Sequence, residues 1–368
     1  MNTLRFKNVR LSGKALPAAR NPAEAALREP WVAGSIETAA GTVPLAAARL
    51  SVRDRFGSWK VRWSIGRMDF SIPPGLYGVG RPGRESPVLV TANYKMSFDR
   101  LRAALPGIDA WILVLDTRGI NVWCAAGKGT FGTAEVVRRI RGARLDQVVS
   151  HRTLILPQLG ASGVQAHAVT RETGFHVSYG PVAAADLPAY LAAGRVATPA
   201  MRQVRFNTWD RLVLTPVELV GGLKGTIVVL GVFFLLNAVG LGRYGWVDLV
   251  AVLGAVFTGC VLTPVLLPVL PTRLFAVKGA FLGVLWAVAI ILLSVGMPAD
   301  PTGWLKAAGY LLALPAVTAF EAMNFTGCTT YTSPSGVNRE MRLTLLPQLA
   351  AFVLGILSLL AADVVRLL

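Results

Sequence analysis

Asn121-Val122-Trp123-Cys124-Ala125-Ala126-Gly127-Lys128-Gly129 is the stretch on which the reading of this chain turns. It follows the apolar run 110–115, which reads as a buried strand, and precedes residues 133–140, which read as a helix with Thr133 as a candidate cap. A cysteine therefore stands in a small-residue, Gly-punctuated segment at the mouth of a strand-to-helix connection. In open α/β folds, ligands bind there. The other cysteines, Cys260 and Cys328, are far away in sequence, and the three form no disulfide framework.

The same alternation extends outward. Residues 88–92 read as a short strand, and Ser97 can cap a helix to 105, ended by Pro106-Gly107. Val148 and Val149 read as a short strand. Leu154-Ile155-Leu156-Pro157 reads as another, followed by Gln158-Leu159-Gly160-Ala161-Ser162-Gly163-Val164 and a helix over 164–170. Residues 175–179 form a strand ending in Gly180-Pro181, and Ala185-Asp186 caps a last helix to 191. Such an order predicts an α/β fold, a mostly parallel sheet with helices on both faces. Residues 59–70 read as strand-like, with Val61, Trp63 and Ile65 alternating with polar neighbours until Pro73-Pro74-Gly75. Residues 1–50 show little periodicity and read as a poorly structured arm, with a loop at Pro17-Ala18-Ala19-Arg20-Asn21-Pro22.

Over the whole chain 53% of residues are hydrophobic and 15% charged, too apolar for one soluble domain, and the excess lies after Val220. A soluble domain over 51–205, a linker over 206–220 and a transmembrane domain over 221–368 are expected. The apolar segments are 225–241, 247–270, 274–296, 304–323 and 343–367, each roughly long enough to cross a bilayer as a helix of about 20 residues. Pro264, Pro268 and Pro315 should kink theirs. The first 20 residues lack an apolar core and a cleavage pattern, which predicts a cytoplasmic soluble domain on a multi-pass protein of the inner cell membrane. The net charge of +17 suits either nucleic acid or basic segments beside anionic membrane lipid. Arg residues are scattered and not interleaved with aromatics, which argues against a nucleic-acid partner.

Several chemistries are excluded. The chain has no His-Glu-x-x-His, Cys-x-x-Cys, Gly-x-Ser-x-Gly or complete P-loop, and Gly127-Lys128-Gly129-Thr130 lacks the leading Gly of the last. His151, His167 and His176 lie at no metal-ligand spacing. Taken alone, Cys124 reads as a small buried hydrophobe or as a metal ligand.

The octapeptide Asn121 to Lys128 decides between these. With Gly119-Ile120 before it and Gly129-Thr130-Phe131-Gly132-Thr133 after it, it resembles the corrinoid-binding domain of the corrinoid iron–sulfur protein large subunit. Residues 151–163 and Val177-Ser178-Tyr179-Gly180-Pro181 fit the same domain. Asn-Val-Trp-Cys-Ala-Ala-Gly-Lys joined to a multi-span domain is similar to a narrower family, the mercury-methylating corrinoid proteins of anaerobic microbes. The resemblance runs from Arg53 to the end of the chain.

That resemblance implies a Rossmann-like corrinoid-binding domain and an all-α transmembrane domain of about five helices. It implies a cobalamin-type corrinoid whose cobalt takes Cys124 as its lower axial ligand, as thiolate, on a short cap helix. The Asp-x-His-x-x-Gly motif that supplies a histidine ligand elsewhere is absent. Lys128 would lie one helical turn from Cys124 and favour the thiolate. Strand ends and cap delimit the cofactor site: Thr91 and Asn93; Val122, Trp123 and Ala125; Gly127, Lys128, Thr130 and Phe131; Gln158, Leu159, Gly160, Ala161 and Gly163; Tyr179, Gly180 and Pro181. The glycines either admit a planar ligand or only make turns.

The implied activity is corrinoid-dependent methyltransferase chemistry. A methyl group from a donor protein or methylated folate would pass from methyl-cobalt(III) to inorganic Hg(II), giving methylmercury. The implied electron donor is a ferredoxin-like protein with two [4Fe–4S] clusters. The alternatives are a membrane-bound corrinoid methyl carrier of one-carbon metabolism, similar to the acetyl-CoA pathway, and a cobalamin-binding transporter or sensor. Few ionisable residues lie deep in the spans, which disfavours a transporter. The hydroxyl-rich passage from Asn324 to Gly336 reads equally as a docking surface or a capped loop. Within and near it, Cys328 could touch a soft metal, Glu321 reads as water-facing and Cys260 as packing.

Loop charge predicts the orientation. The loops near Arg273 and Lys278 and at Asn338-Arg339-Glu340-Met341-Arg342 are basic, whereas residues 297–303 carry no Lys or Arg. A reporter fused at Leu368 is therefore expected outside the cytoplasm; a cytoplasm-only signal would mean an even number of spans.

Overall fold

A computed structural model describes residues 26–240 and 242–367. The chain divides into two compact units, one ending at residue 204 and the other beginning at 205, with residues 62–64 grouped with the second.

The first unit contains β1 (Val32–Thr38), β2 (Gly41–Ala46), α1 (Val52–Arg62), β3 (Gly75–Val79), β4 (Val88–Ala92), α2 (Lys95–Ala103), β5 (Ala110–Leu115), α3 (Val122–Lys128), α4 (Thr133–Gly142), α5 (Leu145–Val148), β6 (Thr153–Leu156), α6 (Ala166–Thr173), β7 (His176–Tyr179) and α7 (Leu187–Ala192). The seven strands form one sheet in the order β1-β2-β3-β5-β4-β6-β7. Strands β5, β4, β6 and β7 run parallel, while β3 is antiparallel to β5, and β1 to β2. The sheet is therefore mixed: half of it is the expected parallel alternation, and the edge from β1 to β3 is additional.

Central strands are apolar on both sides because both sides are covered. Val88, Val90, Trp111, Leu113 and Leu115 share one core with Val122 and Ala125 of α3 and Val136 and Ile140 of α4. Leu89, Ala110, Ile112 and Val114 share the other with Phe98 and Leu101 of α2 and Tyr190 of α7. Strand β4 lies between β5 and β6: the chain passes from β4 to β5 on one side and then crosses back to β6 on the other. The carboxyl end of β4 is thus a topological switch point.

Four expectations are corrected. The stretch 59–70 is not a strand: α1 takes its first part and a 3-10 turn, Arg67–Asp69, the rest. A reciprocal cap starts α1, in which Asp54 N–H donates to Ser51 Oγ (3.2 Å) and Ser51 N–H to Asp54 Oδ2 (3.0 Å). The segment 1–50 holds β1 and β2, and its Pro17–Pro22 loop lies outside the described residues. Val148 and Val149 are buried at the end of α5 and not in a strand; a run so short has no readable period. The linker 206–220 is largely helical, with α8 (Thr208–Leu212) opened by an Asn207–Asp210 capping box.

The second unit continues with α9 (Thr215–Ala238), α10 (Trp246–Phe257), a π-turn Thr258–Leu262, α11 (Thr263–Leu266), α12 (Phe275–Ser294), α13 (Pro301–Asn324) and α14 (Pro334–Leu367). Among the described residues, five helical stretches are long and apolar enough to cross a membrane: Thr208–Ala238, Trp246–Leu266, Phe275–Ser294, Pro301–Gly327 and Ser335–Arg366. The π-turn precedes Pro264, whose ring cannot sit in an unbroken α-helical ladder. Glycines bring backbones together: a Cβ on Gly279 would stand 2.6 Å from the Thr318 carbonyl oxygen, and one on Gly355 2.7 Å from Ala313 N. The basic stretch 338–342 is helix, not loop. Its Glu340 is buried and accepts from Ala276 N–H (2.6 Å), satisfying the start of α12. Glu321 is buried too, accepting from the Cys260 thiol (3.5 Å), and does not face water.

A buried charge cluster ties α1 to α2. Lys95 Nζ lies 2.6 Å from Asp54 and 2.7 Å from Asp99, and Arg102 Nη2 lies 2.9 and 2.8 Å from the same carboxylates. Burial alone pushes the Asp54 carboxyl up. The Lys95 ammonium, Ser51 and the Arg102 guanidinium outweigh it and hold it well below the usual carboxylate range. The stabilisation from this depressed group is present above about pH 4, its unfolded value, and is lost as pH falls further. Arg102→Met should cost about 3–5 kcal/mol by leaving two carboxylates with one cation. Denaturation followed by near-ultraviolet circular dichroism should show wild-type stability falling in acid more steeply than that of Asp54→Asn; equal slopes would contradict the account.

Candidate functional site

The cap helix is positioned from both ends. Asn93, at the end of β4, accepts at Oδ1 from the N–H groups of Thr117 and Gly119, each at 3.0 Å, and lies 2.8 Å from Thr117 Oγ1. This orders the loop after β5, where Gly119 adopts φ 70°. Glu135 of α4 accepts from Asp116 N–H at 2.7 Å. Asn121 then caps α3, its Oδ1 accepting from Cys124 N–H at 2.9 Å. Gly129, at φ 79°, ends the helix in the left-handed region.

α3 is two-faced. Val122, Ala125 and Ala126 are buried, whereas Trp123, Cys124, Gly127 and Lys128 form the exposed face. Cys124 is a free, exposed thiol. Lys128 lies one turn on. No heavy atom lies within 4 Å of where a Cβ on Gly127 would stand, so that face is open to a flat ligand.

Phe131, fully buried, fixes α3 from below. A Cβ on Gly160 would stand 2.5 Å from the Phe131 ring, and one on Gly163 2.2 Å from the Phe131 carbonyl oxygen and 3.0 Å from Ala126 Cα. These glycines let the cap pack against the turn after β6.

Beside the cap lies a cleft of about 590 Å³ at the carboxyl ends of the parallel strands. Its walls include Val90 and Thr91, Leu156, Pro157 and Leu159, Gly180 and Pro181, Ser97, Arg100 and Leu101 of α2, and Asn121, Val122 and Trp123. Of the sequence-expected site residues, Thr91, Val122, Trp123, Leu159, Gly180 and Pro181 line it. Cys124, Gly127 and Lys128 stand on the adjoining open face. Several others have structural roles. Asn93 orders the loop, and Ala125 and Phe131 are core. The Thr130 backbone N–H donates to Ala125 O at 3.0 Å, closing the cap. Gln158 accepts from Arg202 (2.6 Å), and the Tyr179 hydroxyl donates to Val164 O (2.6 Å). Ala161 sits in the same turn, half-buried, after the 3-10 segment Gln158–Gly160. Ser97 and Arg100 were missed; the only signal for them was their place on the helix leaving β4.

Residues 66–191 match the family of the CO dehydrogenase/acetyl-CoA synthase delta subunit. The acetyl-CoA decarbonylase/synthase complex subunit gamma of Archaeoglobus fulgidus is 32% identical over 127 residues, covering 34% of this chain and 27% of that protein. Those of Methanopyrus kandleri and Methanosarcina acetivorans are 34% identical over 122 residues and 32% over 130, covering 33% and 34% of this chain and 26% and 27% of the relatives. The chain thus spans about a quarter of the length of these relatives. The family match contains α3 and the cleft walls named above, and excludes α1 and the five apolar helices. Similarity therefore reaches subunits of acetyl-CoA enzymes.

Gly163→Ala is expected to lower the stability of the first unit by about 1–3 kcal/mol, as overpacking does. Gly127→Ala should leave it unchanged or raise it by up to about 1 kcal/mol, since an open helical glycine gains by the change. Thermal denaturation compares the two; equal loss in both would contradict the assigned packing.

Proposed function

We propose that the first unit holds a corrinoid against the open face of α3 and serves as the methyl carrier of a corrinoid-dependent methyltransferase. The observation that carries this is the exposed Cys124 thiol on a short cap helix at the switch point in the parallel part of a mixed sheet, in a stretch similar to acetyl-CoA synthase subunits. The residues fit such a group. Cys124 is a soft donor free of other partners among the described residues, Gly127 leaves a flat approach, and the cleft beside Trp123 offers depth for an appended nucleotide.

A bound corrinoid supplies a cobalt centre that accepts and gives up a methyl group. The chain's own residues supply the rest. Cys124, as thiolate, would hold the metal, and Lys128 stands on the same exposed face. Asn121 and Gly129 keep the helix from fraying, and the buried side of α3 keeps it in place. Thr91, Leu159, Gly180 and Pro181 shape the wall that takes the rest of the ligand.

The relatives support a carrier of one-carbon metabolism, supplied by a donor protein or methylated folate. Two features favour the finer reading that inorganic Hg(II) is the methyl acceptor: Cys124 within its octapeptide, and the attachment to five apolar helices. A thiolate donor enriches the metal in electron density, which suits delivery to an electrophile. The five helices then span the inner membrane, with the first unit in the cytoplasm. A ferredoxin-like protein with two [4Fe–4S] clusters supplies electrons, its acidic surface drawn to the basic chain.

Cys124→Ala should retain the corrinoid but change its optical spectrum, and should abolish methylmercury formation from Hg(II) with a strong reductant. Cys260→Ala, buried in the other unit, should change neither. An unaltered spectrum in Cys124→Ala would overturn the ligand role. Methyl delivery by the wild type to a one-carbon acceptor but never to Hg(II) would leave the carrier reading and remove mercury.

A further inference from the structure

Helix α1 has two opposed faces. At about 100° per residue, Asp54, Gly57 and Val61 fall on one side and Val52, Phe56 and Trp59 on the other. The first side is seated. Asp54 pairs with Lys95 and Arg102, Val61 is buried, and Gly57 admits the Phe70 ring, which would lie 3.1 Å from a Cβ there. The second side is exposed. Phe56 is 58% and Trp59 52% exposed, their rings stacked at 5.7 Å and 22°, with Val52 exposed one turn before. Arg55 and Arg62 flank this apolar strip on one edge, and Arg53 and Lys60 on the other. Exposed Ile65 and Met68 follow.

An aromatic pair bordered on both edges by cations matches a helix lying in the headgroup layer of a bilayer, with rings in the acyl boundary and Arg and Lys at phosphate level. The charge on both edges of the strip names the occupant. The cations flanking the strip suit anionic headgroups. The Arg62 guanidinium donates to the Val213 carbonyl (3.1 Å), two residues before α9, the first long apolar helix.

We propose that α1 is an in-plane membrane anchor that binds an anionic lipid surface through Val52, Phe56 and Trp59. This rests on reading the five apolar helices as membrane spans, and the test separates the two. The full chain, with Cys124, Cys260 and Cys328 changed to Ala, is given a single nitroxide at Phe56→Cys, Trp59→Cys or, as a water-facing control, Asp146→Cys. It is reconstituted into phosphatidylcholine vesicles with or without phosphatidylglycerol. Power saturation with oxygen and with a water-soluble Ni(II) chelate reads depth.

With phosphatidylglycerol, labels at 56 and 59 should be several-fold more accessible to oxygen than to the chelate, the reverse of position 146. Accessibility to the chelate equal to that at 146 would overturn the anchor, and exclusion of both reagents would show a protein cover instead. The same depth in phosphatidylcholine alone would overturn the role of anionic lipid. Flotation of the chain after an alkaline wash reports the spans separately: loss from the vesicles overturns both readings, whereas retention with chelate-exposed labels overturns α1 alone.

Discussion

The seating of α3 on Phe131 constrains everything the site does. Phe131 occupies the space that side chains at Gly160 and Gly163 would fill, and so presses the cap against the turn after β6. Because Val122, Ala125 and Ala126 must then face the core, the helical period leaves Trp123, Cys124, Gly127 and Lys128 outward. A free, exposed thiol is thus displayed by packing alone. Hydrogen bonds accepted by the side-chain oxygens of Asn93 and Asn121 fix where the helix begins, and Gly129 fixes where it stops.

A second constraint shapes the other side of the sheet. Asp54, Lys95, Asp99 and Arg102 form a compact set of opposite charges that binds α1 to α2, and α2 supplies one wall of the cleft. A cluster of this kind is strong against loss of one member and modest in net gain. Its value here is geometric: it sets which face of α1 is buried, and leaves Phe56 and Trp59 outside. The acetyl-CoA synthase-like stretch begins after α1, so this helix and the long apolar helices are both additions to the shared portion.

Much of this architecture could be read from residues. The runs 88–92 and 110–115 are apolar on both faces, which marks strands covered on both sides, and β4, β5, β6 and β7 followed. The cap helix and its cysteine were legible through the resemblance of the octapeptide; the caps Asn121 and Gly129 that bracket it came only with the structure. The edge strands β1 and β2 were not, since short half-exposed strands with Gly34 and Gly41 carry little period. Alternation misled at Val61, Trp63 and Ile65, where the Ser51–Asp54 cap had already started a helix. Asn93, Phe131, Gly160 and Gly163 lie beside the cap helix, and the contacts they make are internal; sequence spacing cannot distinguish a residue that touches a ligand from one that holds the residue that does.

The central claim is that the outward face of α3 presents Cys124 to the cobalt of a corrinoid. X-ray absorption at the cobalt edge of the purified, corrinoid-loaded chain tests it most directly. A sulfur scatterer in the first shell, lost in Cys124→Ala, is the predicted result. A first shell of nitrogen and oxygen alone in the wild type would contradict it.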